Sequence, residues 1–136
     1  MFTQQFDDFV CAGDFIECEI EGLTMRATLE HDPAATPRDY DFPGACFDTL
    51  DSEYGEENQE VIDSWINDDW HYFGLVISVE KNGIPVAAHV ASLWGIEGNF
   101  PVGDNSYFLE VANELLPEAK DQAMDILKDI REKLEA

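Results

Sequence analysis

Eleven carboxylates and no base lie between Asp39 and Asp69: Asp39, Asp41, Asp48, Asp51, Glu53, Glu56, Glu57, Glu60, Asp63, Asp68 and Asp69. Acids at this density can ligate hard cations or present a row of negative charge to a basic surface. Spacing sorts these uses. A calcium loop of the EF-hand type places oxygen ligands at positions 1, 3, 5 and 12 with glycine at 6, and Asp51, Glu53 and Gly55 do not fit it. Only loose cation binding is expected of the cluster. On a helix expected over 56–67, by contrast, Glu56, Glu60 and Asp63 fall at i, i+4 and i+7. That makes a line of carboxylates roughly 5–6 Å apart. B-DNA carries one charge per about 1.7 Å of its axis, so such a line can imitate its field for a protein that grips phosphates. The expected partner-binding residues are Asp48, Asp51, Glu53, Glu56, Glu57, Glu60, Asp63, Asp68 and Asp69, and the expected partner is a basic nucleic-acid-binding protein. A solvated acidic face kept for solubility or salt adaptation would carry the same charge. The asymmetry of the chain favours the partner: residues 1–69 hold 19 acids and 2 bases, a net −17, and residues 70–136 hold 11 acids and 5 bases, a net −6.

The nucleophiles and metal ligands are sparse. There is no Gly-x-Ser-x-Gly, and no histidine stands beside Cys11, Cys18 or Cys46 in the chain. A triad assembled from distant residues is still possible, so this absence lowers the odds of nucleophilic catalysis without removing it. His31, His71 and His89 are far apart, and no cysteine pair has zinc spacing. Each histidine reads as a structural residue. Glycine loops that cradle phosphate are missing as well. The expectation is a non-enzymatic protein with no catalytic residues, no metal site and no cofactor.

Composition sets the outer bounds. At 136 residues, 45% hydrophobic and 12% aromatic, the chain reads as one folded domain, 1–136, because acidic disordered chains are poor in aromatics. The net charge of −23 far exceeds the magnitude of roughly 2–8 that keeps a small domain soluble. It disfavours direct binding to nucleic acid or to an anionic membrane. No apolar run is long enough for a transmembrane helix, the first residues lack a basic signal-peptide region, and three separated cysteines suit a reducing cytosol.

The elements that must position the acids are legible from period and turn chemistry. Asn82-Gly83 between two β-branched runs is a hairpin signal, since a type I′ turn needs positive φ at both central residues. The implied register puts Val79 opposite Val86, Ile77 opposite Ala88, Leu75 opposite Val90 and Phe73 opposite Ser92. One core face then carries Phe73, Leu75, Ile77, Val79, Val86, Ala88, Val90 and Trp94, with His71 on it and His89 on the other. Pro85 makes the outer side of the second strand an edge. Residues 15–30 alternate about Glu21-Gly22 as another hairpin, with Glu17, Glu19 and Glu21 along its wet face. Phe2, Phe6, Phe9 and Val10 suit either an apolar arm laid on the core or a short helix. Residues 31–55 form an irregular acidic segment within the domain. Residues 95–103 read as a loop, Asp104 or Asn105 as a helix N-cap, and Pro117 as a kink or the start of another helix. The order ββ-α-ββ-αα gives an α+β fold: an antiparallel β-sheet built from two hairpins, with the Asn82-Gly83 pair at its centre and helices packed on one face.

Three phrases carry a resemblance: Asn67-Asp68-Asp69-Trp70-His71-Tyr72, Ala91-Ser92-Leu93-Trp94-Gly95-Ile96-Glu97, and Glu110-Val111-Ala112-Asn113-Glu114-Leu115. They resemble a family of small acidic uncharacterised proteins of bacteriophages, prophages and plasmids, over about half the chain and not over residues 1–60. The resemblance implies a bacterial cytoplasm and a mobile-element origin, and no activity. Inhibitors of CRISPR and restriction systems occur among acidic proteins in that setting, so the resemblance associates the chain with anti-CRISPR or anti-restriction roles. The alternative expectation is an interaction or scaffold protein of a mobile element. Its contact would be an apolar patch of Leu93, Trp94, Ile96 and Phe100, and the acidity would serve solubility only.

Overall fold

A computed structural model describes residues 1–35, 63–67, 69–99 and 105–135. Four strands, β1 (Phe15–Ile20), β2 (Leu23–His31), β3 (His71–Lys81) and β4 (Ile84–Gly98), form one antiparallel meander in the order β1-β2-β3-β4. A helix, α1 (Tyr107–Glu135), packs on one face, so the α+β architecture of two hairpins and a helical layer is as expected. Both hairpin turns have paired positive φ: Glu21 at 51° with Gly22 at 80°, and Asn82 at 52° with Gly83 at 79°. This is the type I′ geometry whose twist matches that of the strands it joins. The Asn82-Gly83 hairpin is off-centre, because β3 is an inner strand and β4 is the edge.

The alternation of β1 and β2 holds as read. Ile16, Leu23, Met25, Ala27 and Leu29 are buried with Phe73, Leu75, Ile77 and Val79 of β3 against Phe108, Val111, Ala112, Leu116, Ala119 and Ala123 of α1. The three alanines let the helix approach the sheet closely. The wet face of β1 is not a free row of carboxylates. Arg26 donates from Nε and Nη2 to Glu17, at 3.1 and 3.0 Å, and Lys120 pairs with Glu21 at 2.9 Å.

The register of β4 departs from expectation. It starts as predicted, with Lys81 opposite Ile84 and Glu80 opposite Pro85, and then slips: Val79 faces Ala87, Ile77 faces Ala91, Leu75 faces Leu93 and Phe73 faces Ile96. β4 spends 15 residues along the 11 of β3. The extra residues sit in bulges, which are characteristic of edge strands and bend them away from further pairing. Val86 and Val90 remain at the core. Ala88 is exposed, and Trp94 turns to the opposite face at 45% exposure. Its ring lies where a Gly74 side chain would be, since a Cβ there would fall 2.1 Å from the indole. Residues 95–98, read as loop, continue the strand, with Gly95 at φ +74° in one of the irregularities.

The N-terminus is an arm, without helix over residues 1–13. Phe2, Phe6 and Val10 are buried, and Phe9 is exposed. Asparagine side chains strap it down. Asn113 accepts from Phe2 N–H at 2.8 Å and donates to Phe2 C=O at 3.1 Å, and Asn99 does the same for Val10 at 2.8 Å each way. Asn105 donates to the carbonyls of Asp7 and Asp8 and accepts from Asn99 N–H. Its side chain is therefore taken up by the arm and does not cap α1 as expected. Asp104 lies outside the described residues. Pro117 neither ends nor restarts the helix, which runs through it for 29 residues. The expected helix over 56–67 is described only at its end, where residues 63–66 are helical.

Candidate protein-binding surfaces

Of the nine acids singled out in the sequence, Asp48, Asp51, Glu53, Glu56, Glu57, Glu60 and Asp68 lie outside the described residues. Asp63 and Asp69 are exposed on a short turn, in which Asn67 N–H donates to Asp63 C=O and Asp69 N–H to Ser64 C=O, at 2.9 and 2.8 Å. The turn is anchored by Trp65, which packs on the buried Trp70, Tyr72 and Ala35 on the face of β3 away from α1.

The structure adds a row of acids that the sequence reading passed over. Glu110, Glu114, Glu118, Asp121 and Asp125 are all exposed on α1. Their spacings of four, four, three and four keep them within roughly 80° of one side at about 100° per residue, opposite the buried face. The row rises about 22 Å at 1.5 Å per residue, so successive carboxylates are about 5–6 Å apart. None of the five has an ion-pair partner among the described residues. The spacing is shorter than the screening length of about 8 Å at physiological salt, so their fields add. Along one DNA strand the charges recur at about 3.4 Å of axis, a comparable scale. Toward the C-terminus the row dilutes, since Lys133 pairs with Asp129 at 2.9 Å and Lys128 enters the same side. The signal was present in the sequence as an i, i+4 pattern. Dividing the segment at Pro117 hid it.

A second feature is a cleft of about 300 Å³ at the end of β4, lined by Leu93, Trp94, Gly95, Ile96, Glu97 and Tyr107. Leu93, Trp94 and Tyr107 are 40%, 45% and 50% exposed. Ile96 is buried at 4%, so it belongs to the core and not to the apolar patch expected there; Phe100 lies outside the described residues. The Glu97 carboxyl is half-buried with no hydrogen bond or ion pair among the described residues, and burial pushes its pKa up. The folded state therefore holds this proton more tightly than the unfolded chain. The cost of ionising Glu97 is absent below the ordinary carboxylate pKa of about 4.3, grows as pH rises through the window up to the raised value, and stays in full above it. Glu97→Gln should accordingly raise the urea midpoint at pH 7 and lose that advantage near pH 4. Glu114→Gln on the exposed row controls for the general relief of charge repulsion. Equal gains in the two variants at pH 7 would contradict the burial argument.

The histidines meet differently from the sequence expectation. His31 and His71 come from neighbouring strands, with ring centroids 4.7 Å apart, and both lie against Phe73. They border a cavity of about 300 Å³ with Asp32, Trp65, Ile66 and Tyr72. Asp32 is already committed: its carboxylate accepts from Gly95 N–H at 2.9 Å and Ala34 N–H at 3.2 Å. No group of three metal-ligating side chains occurs among the described residues. His89 is exposed and apart from this pair. Cys11 is exposed. Cys18 sits at the core margin, where burial raises its thiol pKa against the smaller opposing pull of the N-terminal amino group, so the reactive thiolate is disfavoured.

Comparison with known proteins leaves these surfaces to be read on their own chemistry. No protein-family model, curated protein or solved structure matches the chain. No helix among the described residues is long and apolar enough to cross a membrane.

Proposed function

We propose that the protein is an acidic, non-enzymatic inhibitor of a host nucleic-acid-binding protein, of the anti-CRISPR or anti-restriction type, acting in the bacterial cytoplasm by occupying the basic groove that otherwise holds DNA. The observation that supports this reading is the exposed carboxylate row of α1, which has no ion-pair partner among the described residues. It adds a rigid line of charge to the acids of 39–69 and is held on a helix whose opposite side is buried in the core. A groove built to exchange counterions for phosphates accepts carboxylates at similar spacing without distinguishing their chemistry. No cofactor or metal enters the mechanism, which is competition for a surface.

The experiment is a salt titration of partner binding, with the Glu56→Gln, Glu60→Gln, Asp63→Asn triple variant beside the parent. Parent affinity should fall steeply between about 50 and 200 mM salt, as it does for proteins on DNA. The triple variant should keep its melting profile and bind more weakly with a shallower salt slope. A salt-independent complex, or a triple variant with unchanged affinity and slope, would count against the mimic. The second reading, a mobile-element interaction or scaffold protein with an apolar contact, is favoured by the exposure of Leu93 and Trp94. It predicts binding that survives high salt.

A further inference from the structure

We propose that the cleft at the end of β4 is a receptor for one arginine side chain of the partner, with the guanidinium stacked on Trp94 and bound to the carboxylate of Glu97. Only the source of the arginine rests on the function proposed above; the chemistry of the cleft stands on its own residues.

Three observations converge. First, Trp94 is fixed in place while remaining 45% exposed: its ring rests on Gly74, and its Nε1–H donates to Ser92 Oγ at 3.3 Å. Any side chain at position 74 would lift it. An exposed but immobilised indole is a platform, and its π face attracts cations. Second, Tyr107 in the first turn of α1 is 50% exposed and lines the cleft from the helix side. Third, Glu97 is half-buried in the same cleft with no hydrogen bond or ion pair among the described residues, and its pKa is raised by burial alone. A carboxylate that bears a burial cost without a partner gains from any cation that supplies one.

The shape of the site selects among cations. A guanidinium is planar and weakly hydrated, and it can stack on an aromatic face while donating two parallel hydrogen bonds to a carboxylate. An ammonium is a hydrated point charge and uses only one of these features well. Arg26 of this chain pairs with both kinds of group: its guanidinium lies 4.4 Å from the Phe15 ring centroid and donates to Glu17. The cleft presents the same two kinds of group, an aromatic ring and a carboxylate, in Trp94 and Glu97. Arginines line the DNA-contacting grooves of nucleic-acid-binding proteins because they grip phosphate, so the partner class supplies the occupant.

The test uses the blocked tripeptide Gly-Arg-Gly, its citrulline isostere and the lysine version, each titrated into the full chain. The readout is the indole N–H resonance of Trp94, identified by its loss in Trp94→Phe. The arginine peptide should shift this signal saturably, the lysine peptide more weakly, and the uncharged citrulline peptide not at all. Glu97→Gln, which should fold at least as well as the parent, should weaken arginine binding at least about tenfold, the equivalent of one charge-assisted pair. Glu132→Gln, at an exposed position near the end of α1 and outside both the cleft and the carboxylate row, reduces the net charge equally and should leave it unchanged. Equal binding of citrulline, or equal weakening by the two glutamine variants, overturns the proposal. That failure would leave the carboxylate row of α1 untouched, because the row is judged by partner binding and the cleft by the peptides.

Discussion

Val79→Asp is expected to abolish cooperative folding. Val79 is 1% exposed, faces Met25 on one side and Ala87 on the other, and belongs to the cluster under α1. A carboxylate there has no partner within a layer of Leu, Ile, Met and Ala side chains. Burying an unpaired charge is among the few mechanisms that exceed about 4–5 kcal/mol for one substitution, a large share of a small domain's total stability of about 5–15 kcal/mol. Thermal circular dichroism should show no native transition at neutral pH. Ala88→Gln provides the contrast. In an uninterrupted hairpin Ala88 would sit opposite Ile77 in the core, whereas the bulged strand leaves it exposed. Its expected change is within about 0.5 kcal/mol. A parent-like Val79→Asp would disprove the face assignment, and a severely unstable Ala88→Gln would disprove the bulges.

These two positions also mark where the sequence stops being informative. The turn residues Asn82-Gly83 and Glu21-Gly22 need positive φ, strict alternation in 15–30 leaves one face for burial, and Phe73, Leu75, Ile77 and Val79 recur at every second position of β3, so both hairpins and the α1-facing layer are legible. In β4 the run Pro85-Val86-Ala87-Ala88-His89-Val90-Ala91 has small side chains on both faces. A one-residue slip therefore costs little, and nothing local fixes the register beyond the first pairs. The bulges then decide that Trp94 leaves the core and settles on Gly74, which creates the cleft with Glu97. The meeting of His31 and His71 depends on β2–β3 pairing across 39 intervening positions, which no local pattern encodes. The asparagine straps are equally silent, since Asn99, Asn105 and Asn113 look like loop and helix-surface residues until the arm lies over them. Of the acids, density directed attention to 39–69. The row on α1 is less dense and became visible only when the helix proved continuous through Pro117.

Neutralising that row is the second large effect expected. The variant carries Glu110→Gln, Glu114→Gln, Glu118→Gln, Asp121→Asn and Asp125→Asn. All five side chains are exposed and have no ion-pair partner among the described residues, so the helix loses only small dipole and propensity contributions, and the net charge of −23 falls in magnitude. Melting should stay close to the parent's. Partner binding should drop by about 2–3 kcal/mol, taking about 0.5 kcal/mol for each surface contact, which is close to a hundredfold in Kd. Competition titrations with the parent as reference would measure it. A fully active variant would reassign the charge of α1 to solubility.

Competition with DNA for a protein's basic groove, as proposed for this chain, can be read from a pulldown from the natural host at low salt, with the full chain as bait and elution by duplex DNA. The retained protein should be a nucleic-acid binder that DNA releases and an uncharged polymer does not. Retained proteins that do not bind nucleic acid, or a binder that DNA fails to displace, would contradict it and leave the acidity as a solvated surface.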